Sequence, residues 1–153
     1  FHDSDDAPAL VLAGGPGWDT DIEPALAEVP PNLNVLRPGY LPLEDLPGFL
    51  SGCEILAYPS IGEGFGLPVL EAMAYGAPVV TSAGTCMAEV CGQAGLLADP
   101  TSPREIAGLL ARAIGAEHDE LAEAGRERAR TFTWEACAAA HTEVYHALIG
   151  GAV

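Results

Sequence analysis

Two carboxylates and a glycine-rich turn are the part of this sequence best suited to binding chemistry. Glu63 and Glu71 have seven residues between them, and among these Gly64 and Gly66 flank Phe65. Glycines let a backbone approach a ligand closely, and a helix behind them would present a positive dipole end and free N–H groups. Carboxylates accept paired hydrogen bonds from vicinal hydroxyls. The segment therefore predicts a site for an anionic or heavily hydroxylated ligand.

Each of these residues also has an ordinary structural explanation. An acidic residue early in a helix is favoured by the dipole, so a lone Glu71 is more often a helix stabiliser than a ligand contact. Glycines in a turn between a strand and a helix usually serve the turn itself. Residue by residue the structural explanation is favoured, so the binding hypothesis depends on the segment as a whole.

The elements around this segment predict an α/β fold with a mostly parallel sheet. Short apolar runs alternate with helical patterns, which is typical of βα units. Ligands of open parallel sheets bind at the carboxyl ends of the strands, and the segment directly follows one strand. Strands are predicted at 9–13, as a buried strand, and at 33–36, 54–58, 77–81 and 95–97.

Capping residues locate the helices. Pro68 suits the first turn of a helix that ends at Gly76, Ser102 and Glu105 form a capping box, and Thr133 is an N-cap. Apolar residues at helical spacing after Ser102 are expected to face the core: Ile106, Leu109, Leu110, Ala113 and Ile114. The remaining helices are predicted at 22–29, 43–51, 119–130 and 134–148. The arginines of 119–130 lie among acidic residues and are interpreted as a solvated face: Arg126, Arg128 and Arg130.

Composition limits the function classes. The 153 residues suffice for one domain but not for two with a cleft between them. A net charge of −16, with no lysine and six arginines, disfavours nucleic-acid binding and electrostatic membrane docking. Four scattered cysteines match no common zinc pattern, so we expect reduced thiols and no metal site. Without a membrane-length apolar run or a signal sequence, a cytoplasmic location is expected.

The segment EGFGLPVLE at 63–71 resembles the E-x7-E motif of retaining GT-B glycosyltransferases. The chain is similar to glycosyltransferase family 4, the group 1 glycosyltransferases, over nearly its whole length. Six flanking segments agree with that family in order: LVLAGGPG at 10–17, PGYLPLEDLPGFL at 38–50, SGCEILAYPS at 51–60, EAMAYGAPVVTS at 71–82, AEVCGQAGLLADP at 88–100 and FTWEACA at 132–138.

This resemblance implies a role for each residue of the segment. The donor substrate would be a nucleotide-diphosphate sugar, whose hexose is transferred with retention of configuration, and divalent metal dependence is left open. Glu71 would bind the ribose hydroxyls, and Glu63 would contact the transferred sugar as the catalytic residue. Tyr40 and Leu41 would lie beside the base. The backbone expected to meet the sugar and diphosphate belongs to Gly64, Phe65, Gly66 and Leu67.

The resemblance also implies an incomplete domain. Residues 1–153 would form most of the nucleotide-sugar-binding C-terminal domain, a Rossmann-like doubly wound parallel sheet that is one half of a GT-B fold. FHDSDD at 1–6 is expected to end the helix of a first strand–helix unit that the sequence lacks. That unit carries the family's arginine and lysine for the diphosphate. Its absence should leave a gap between strand 9–13 and the region of Ala57 or Val79.

Two function hypotheses remain. In the first, this chain is the donor-binding part of a transferase, inactive without the missing N-terminal acceptor domain, toward which the final helix at about 134–149 would pack. In the second, it is a non-catalytic module that binds a nucleotide or a partner on a degenerate GT-B scaffold. Retention of both Glu63 and Glu71 favours the first, because a decayed site does not need them.

Overall fold

A computed structural model describes residues 7–15 and 22–150, so the predictions for FHDSDD at 1–6 and for Pro16 and Gly17 lie outside the described residues. The chain divides into two compact units, with the boundary between Gly48 and Phe49. The described elements are β1 (Leu10–Ala13), α1 (Ile22–Ala27), β2 (Val35–Gly39), α2 (Leu46–Ser51), β3 (Leu56–Tyr58), α3 (Leu67–Tyr75), β4 (Val79–Ser82), α4 (Cys86–Cys91), β5 (Leu96–Ala98), α5 (Pro103–Ile114), α6 (His118–Ala129) and α7 (Trp134–Ile149).

The first unit contains one parallel strand pair. Leu10 of β1 pairs with Val35 of β2, and Val11 pairs with Leu36. The prediction that 9–13 forms a strand is confirmed, but the prediction that it is buried is wrong, since Leu10 is 48% exposed and Val11 is 36% exposed. A parallel strand is buried only when helices cover the sheet. In the described part of this unit, α1 has no buried residue.

The second unit is built on three parallel strands in the order β3-β4-β5. β4 lies in the centre, and all four of its residues are buried. On α3, Val69, Ala72 and Met73 are buried, and this helix packs against α6. Val80 of β4 belongs to a cluster with α5 and α6 that contains Ala113, Leu121, Leu109 and Leu110. The predicted core face of α5 is confirmed for Leu109, Leu110 and Ala113, whereas Ile106 and Ile114 are half-buried.

The described strands form two separate sets of paired strands, one in each unit. In the ranges 7–15 and 22–150, β1 pairs with β2 and β3–β5 pair together, and no ladder joins the two sets. The gap predicted between strand 9–13 and the strands that contain Ala57 and Val79 stays a prediction. The α/β fold with parallel strands is confirmed.

Most helix ends follow the capping predictions. α3 has Pro68 in its first turn and ends at Gly76, whose φ is 82°. Thr133 caps α7 by accepting from the Ala136 N–H at 3.1 Å. The capping box of α5 is only half formed: Ser102 accepts from the Glu105 N–H at 3.4 Å, but the Glu105 carboxylate accepts from Asp99 N instead. α4 was not predicted, because six residues are too few to show a helical period.

The interpretation of the α6 arginines as a solvated face is wrong for Arg128. Arg126 pairs with Glu123 at 3.1 Å, and Arg130 pairs with Glu127. Arg128 is half-buried and donates to two backbone carbonyls at the end of α4. A contact between residues 38 positions apart leaves no signal in local charge spacing.

None of the described helices combines the length and apolar character that a bilayer crossing requires.

Candidate functional site

The predicted segment forms the loop between β3 and α3, at the carboxyl end of β3. Tyr58 pairs with Thr81 of β4 in the parallel ladder. The Thr81 hydroxyl donates to the Tyr58 carbonyl at 2.8 Å and contacts the Met87 sulfur at 3.2 Å. The loop therefore begins at a residue of β3 that is fixed to the buried central strand β4, at the sheet edge where open α/β folds bind ligands.

Glu63 is exposed and is held at two places. Its Oε1 accepts from the Tyr58 hydroxyl at 2.9 Å, and its backbone carbonyl accepts from the Cys86 thiol at 3.2 Å. Burial, followed by the hydrogen bond to Glu63, raises the pKa of Tyr58, so Tyr58 remains a protonated donor at neutral pH. The carboxylate borders an open depression of about 290 Å³ lined by Ala57, Tyr58, Pro59, Ser60 and Glu63.

Sequence reasoning missed both partners of Glu63. Tyr58 could have been found, because it is the last residue of β3 and lies only five positions before Glu63. Cys86 lies 23 positions away on a helix that was not predicted, so no local pattern could have identified it.

Gly66 is required by the protein's own geometry. It is buried, has a φ of 94° and stands at the N-cap of α3 without a side-chain cap. A Cβ at this position would lie 2.7 Å from Met87 Cγ. Gly64 differs, because its φ is not left-handed and a Cβ there would meet no atom within 4 Å. Packing explains why residue 66 is a glycine, whereas Gly64 leaves the backbone beside Glu63 accessible.

We expect Gly66→Ala to destabilise the chain by about 1–3 kcal/mol, because alanine would adopt a left-handed conformation and press on Met87. Gly64→Ala is the matched control and should leave the free energy of unfolding unchanged within about 0.5 kcal/mol. Urea denaturation of both variants measures the difference. Equal stability of the two variants would contradict the geometry described for this turn.

The N-terminus of α3 offers one amide in its first turn. Pro68 has no N–H, and the Val69 and Leu70 amides both donate to the Gly66 carbonyl, at 3.0 and 3.3 Å. The Leu67 N–H has no acceptor within the described ranges. With the helix dipole behind it, this amide can bind an anion.

The Phe65 side chain is held away from solvent on one side. Its ring meets the Phe132 ring edge to face, with centroids 6.1 Å apart and planes at 81°. The ring is still 43% exposed, and Leu67 is 57% exposed. The loop backbone, rather than an anchored aromatic side chain, is therefore the part free to meet a ligand.

Glu71 lies in the second turn of α3, slightly later than the first turn suggested by the sequence. It is half-buried, and within the described residues its carboxylate forms no hydrogen bond or ion pair. Leu67 is four residues before it, so the two share one face of the helix. The described part of the chain thus contains no structural partner that would account for a carboxylate at position 71.

Tyr40 and Leu41 directly follow β2 in the first unit. Tyr40 is 84% exposed, and its ring covers Gly15, where a Cβ would lie 2.6 Å from Tyr40 Cε2. The Gly14 N–H donates to the Gly39 carbonyl at 2.8 Å. The turns after β1 and β2 are therefore joined to each other at the carboxyl end of this strand pair.

The described part of the chain contains no group of three or more histidine, cysteine and acidic side chains placed to hold a metal ion. Cys91 is buried, and burial raises its pKa to about 11, so its thiol stays protonated.

Comparison with known proteins gives consistent matches. The sequence model of the family described as glycosyl transferases group 1 matches residues 2–132. O-antigen chain mannosyltransferase B of Escherichia coli is 39% identical over 142 residues, which are 91% of this chain and 37% of that protein. Sucrose-phosphate synthase from Thermosynechococcus elongatus superimposes with a TM-score of 0.75 and 29% identity, over 93% of this chain and 39% of its own.

A structure of Anabaena HepE in complex with UDP-glucose shares the fold, with a TM-score of 0.71 and 21% identity over 80% of this chain and 36% of its own. In each comparison the chain spans well under half of the relative's length. The predicted resemblance to the group 1 glycosyltransferases and the predicted half of a GT-B fold are confirmed, whereas the match to the E-x7-E motif stays a prediction. The family match extends over most of the sequence, and the chain therefore belongs to the glycosyl transferases group 1 family.

Proposed function

We propose that this chain is the donor-binding part of a retaining glycosyltransferase that transfers a hexose from a nucleotide-diphosphate sugar to an acceptor. The observation that carries the proposal is the Glu63 carboxylate, exposed and oriented by Tyr58 at 2.9 Å at the carboxyl end of β3. Family membership supports transfer chemistry. A related mannosyltransferase and a structural neighbour that holds UDP-glucose support a hexose on a nucleotide.

The loop between β3 and α3 and the helix α3 contact different parts of the donor. Glu63 contacts the transferred sugar, because an oriented carboxylate at an open depression accepts hydrogen bonds from hydroxyls. Glu71 binds the ribose diol, which would supply the partner that its carboxylate lacks among the described residues. The Gly64 to Leu67 backbone, with the Leu67 amide and the dipole of α3, meets the sugar and diphosphate. Tyr40 and Leu41 lie beside the base.

The diphosphate needs more positive charge than this chain provides. The sequence has no lysine and a net charge of −16, which opposes an anionic donor. We propose that residues of the full-length protein outside these 153 positions supply the cations, together with the acceptor site.

The final helix is proposed to pack on that acceptor domain. α7 has no buried residue, and its exposed large side chains include Trp134 at 84%, Tyr145 at 60% and Leu148 at 63%. Exposed apolar patches of this kind mark interaction surfaces.

The experiment that tests the proposal is a donor screen on the full-length protein with UDP- and GDP-hexoses. The expected result is release of the nucleoside diphosphate and a glycoside whose anomeric configuration, read by proton NMR, equals that of the donor. An inverted product would disprove the retaining mechanism. Nucleotide binding without transfer from any donor would favour a non-catalytic module instead.

A further inference from the structure

Two ring contacts connect the glycine-rich loop to the end of α6, and two hydrogen bonds connect the end of α6 to α4. The Phe65 ring packs edge to face on Phe132 at 6.1 Å. The Arg128 guanidinium lies over the same Phe132 ring, 4.8 Å from its centroid. Arg128 Nε donates to the Val90 carbonyl at 2.9 Å, and its Nη2 donates to the Glu89 carbonyl at 2.7 Å. We call Arg128, Phe132 and Phe65 the stack.

Arg128 is used differently from the arginines on either side of it. Arg126 and Arg130 each pair with a glutamate three residues earlier on the exposed surface of α6. Arg128 instead satisfies carbonyls of the last turn of α4, which have no partner within their own helix. A planar guanidinium can fork onto two carbonyls and lie on an aromatic face at once, which an ammonium cannot. The Arg128 guanidinium is therefore fixed by two hydrogen bonds at its edge and by the Phe132 ring at its face.

The loop needs such a fixed support. Phe65 stands between Gly64 and Gly66, and glycine backbone has the largest conformational freedom to lose on ordering. The ring contact with Phe132 restrains the one large side chain of this turn. Because Phe132 is itself covered by Arg128, the loop backbone is held by an element more than 60 positions away in sequence.

We propose that Arg128 and Phe132 are positioning residues that hold the Gly64 to Leu67 backbone in the conformation that binds the donor. The inference rests on the proposed function of that loop. Neither residue touches the donor; each acts through Phe65. Without the stack, part of the donor's binding free energy would be used to order the loop. The donor KM should therefore rise, whereas kcat should change little.

The test compares Arg128→Met with Arg130→Met in the full-length protein. Both variants remove one positive charge at the C-terminal end of α6, but only the first removes a member of the stack. We expect Arg128→Met to raise the donor KM about tenfold with kcat within about twofold, and Arg130→Met to behave as the parent. Phe132→Leu should reproduce Arg128→Met, and Phe132→Tyr should restore the parental KM. If Arg128→Met does not fold, the two Phe132 variants decide alone.

Amide hydrogen exchange at Phe65 and Leu67 separates failure of this inference from failure of the proposed function. Faster exchange in Arg128→Met than in Arg130→Met is expected whether or not a donor has been found. A lower Tm with parental KM and parental exchange at these amides would make Arg128 merely structural and overturn the inference. A parent that transfers no sugar overturns the proposed function, and equal exchange in the two arginine variants would then overturn the stack as well.

Discussion

Glu63→Ala should reduce sugar transfer by the full-length protein about a hundredfold or more, while its affinity for a sugar-free nucleoside diphosphate changes less than about threefold. The carboxylate lies beside the depression rather than on α3, and Tyr58 holds it in one orientation. Preorganised polar groups that act on the reacting part of a substrate typically contribute about 10²- to 10³-fold in kcat. Their loss does not affect binding of a ligand that lacks the sugar.

The measurement pairs steady-state kinetics with calorimetric titration of the nucleoside diphosphate. Glu54→Ala is the matched control, since Glu54 is also exposed in the second unit but lies before β3. It should leave both quantities unchanged. Equal losses of transfer and nucleotide affinity in Glu63→Ala would mean that Glu63 contacts the nucleotide, contrary to the role proposed here.

The 153-residue chain alone should transfer no sugar and bind donors weakly or not at all. The full-length protein should bind donors and transfer sugar. Transfer leaves a diphosphate whose charge is commonly stabilised by fixed cations. This chain offers the Leu67 amide and a helix dipole against a net charge of −16. Its described strands also form two separate sheets. Both observations predict that further sequence is needed to complete the site.

Purified chain and full-length protein should be assayed at equal concentration with the same donors. Thermal unfolding followed by circular dichroism is the control that shows the isolated chain to be folded. Measurable sugar transfer by the folded chain would refute the prediction.

Local signals in the sequence were sufficient to locate the candidate site. Pro68 and Gly76 delimit α3 because each residue acts on the backbone at its own position. The position of the loop follows from the alternation of strand and helix, which is also local. The roles predicted for Glu63 and Glu71 came from resemblance to a family. The structure adds a hydrogen-bond partner for the Glu63 carboxylate and shows none for the Glu71 carboxylate among the described residues.

Features that depend on distant residues could not be predicted in this way. Arg128 appeared solvated by its acidic neighbours, yet its partners are carbonyls 38 and 39 positions away. The exposure of β1 depends on which elements cover it, and its apolar sequence alone indicated burial. The sequence indicated that Gly66 lets the backbone approach a ligand closely. The structure shows that Met87, on a helix that was not predicted, explains why glycine is needed there.

The most direct test of the donor site is calorimetric titration of nucleoside diphosphates into the full-length protein and its Glu71→Gln variant. Glutamine keeps the shape but removes the charge that binds the ribose diol, so we expect a loss of about 1.5–3 kcal/mol, or roughly 10- to 150-fold in Kd, with an unchanged Tm. Glu120→Gln, an exposed change on α6, should bind as the parent does. Unchanged affinity of Glu71→Gln for every nucleoside diphosphate that the parent binds would contradict the assignment of this loop and helix as the donor site.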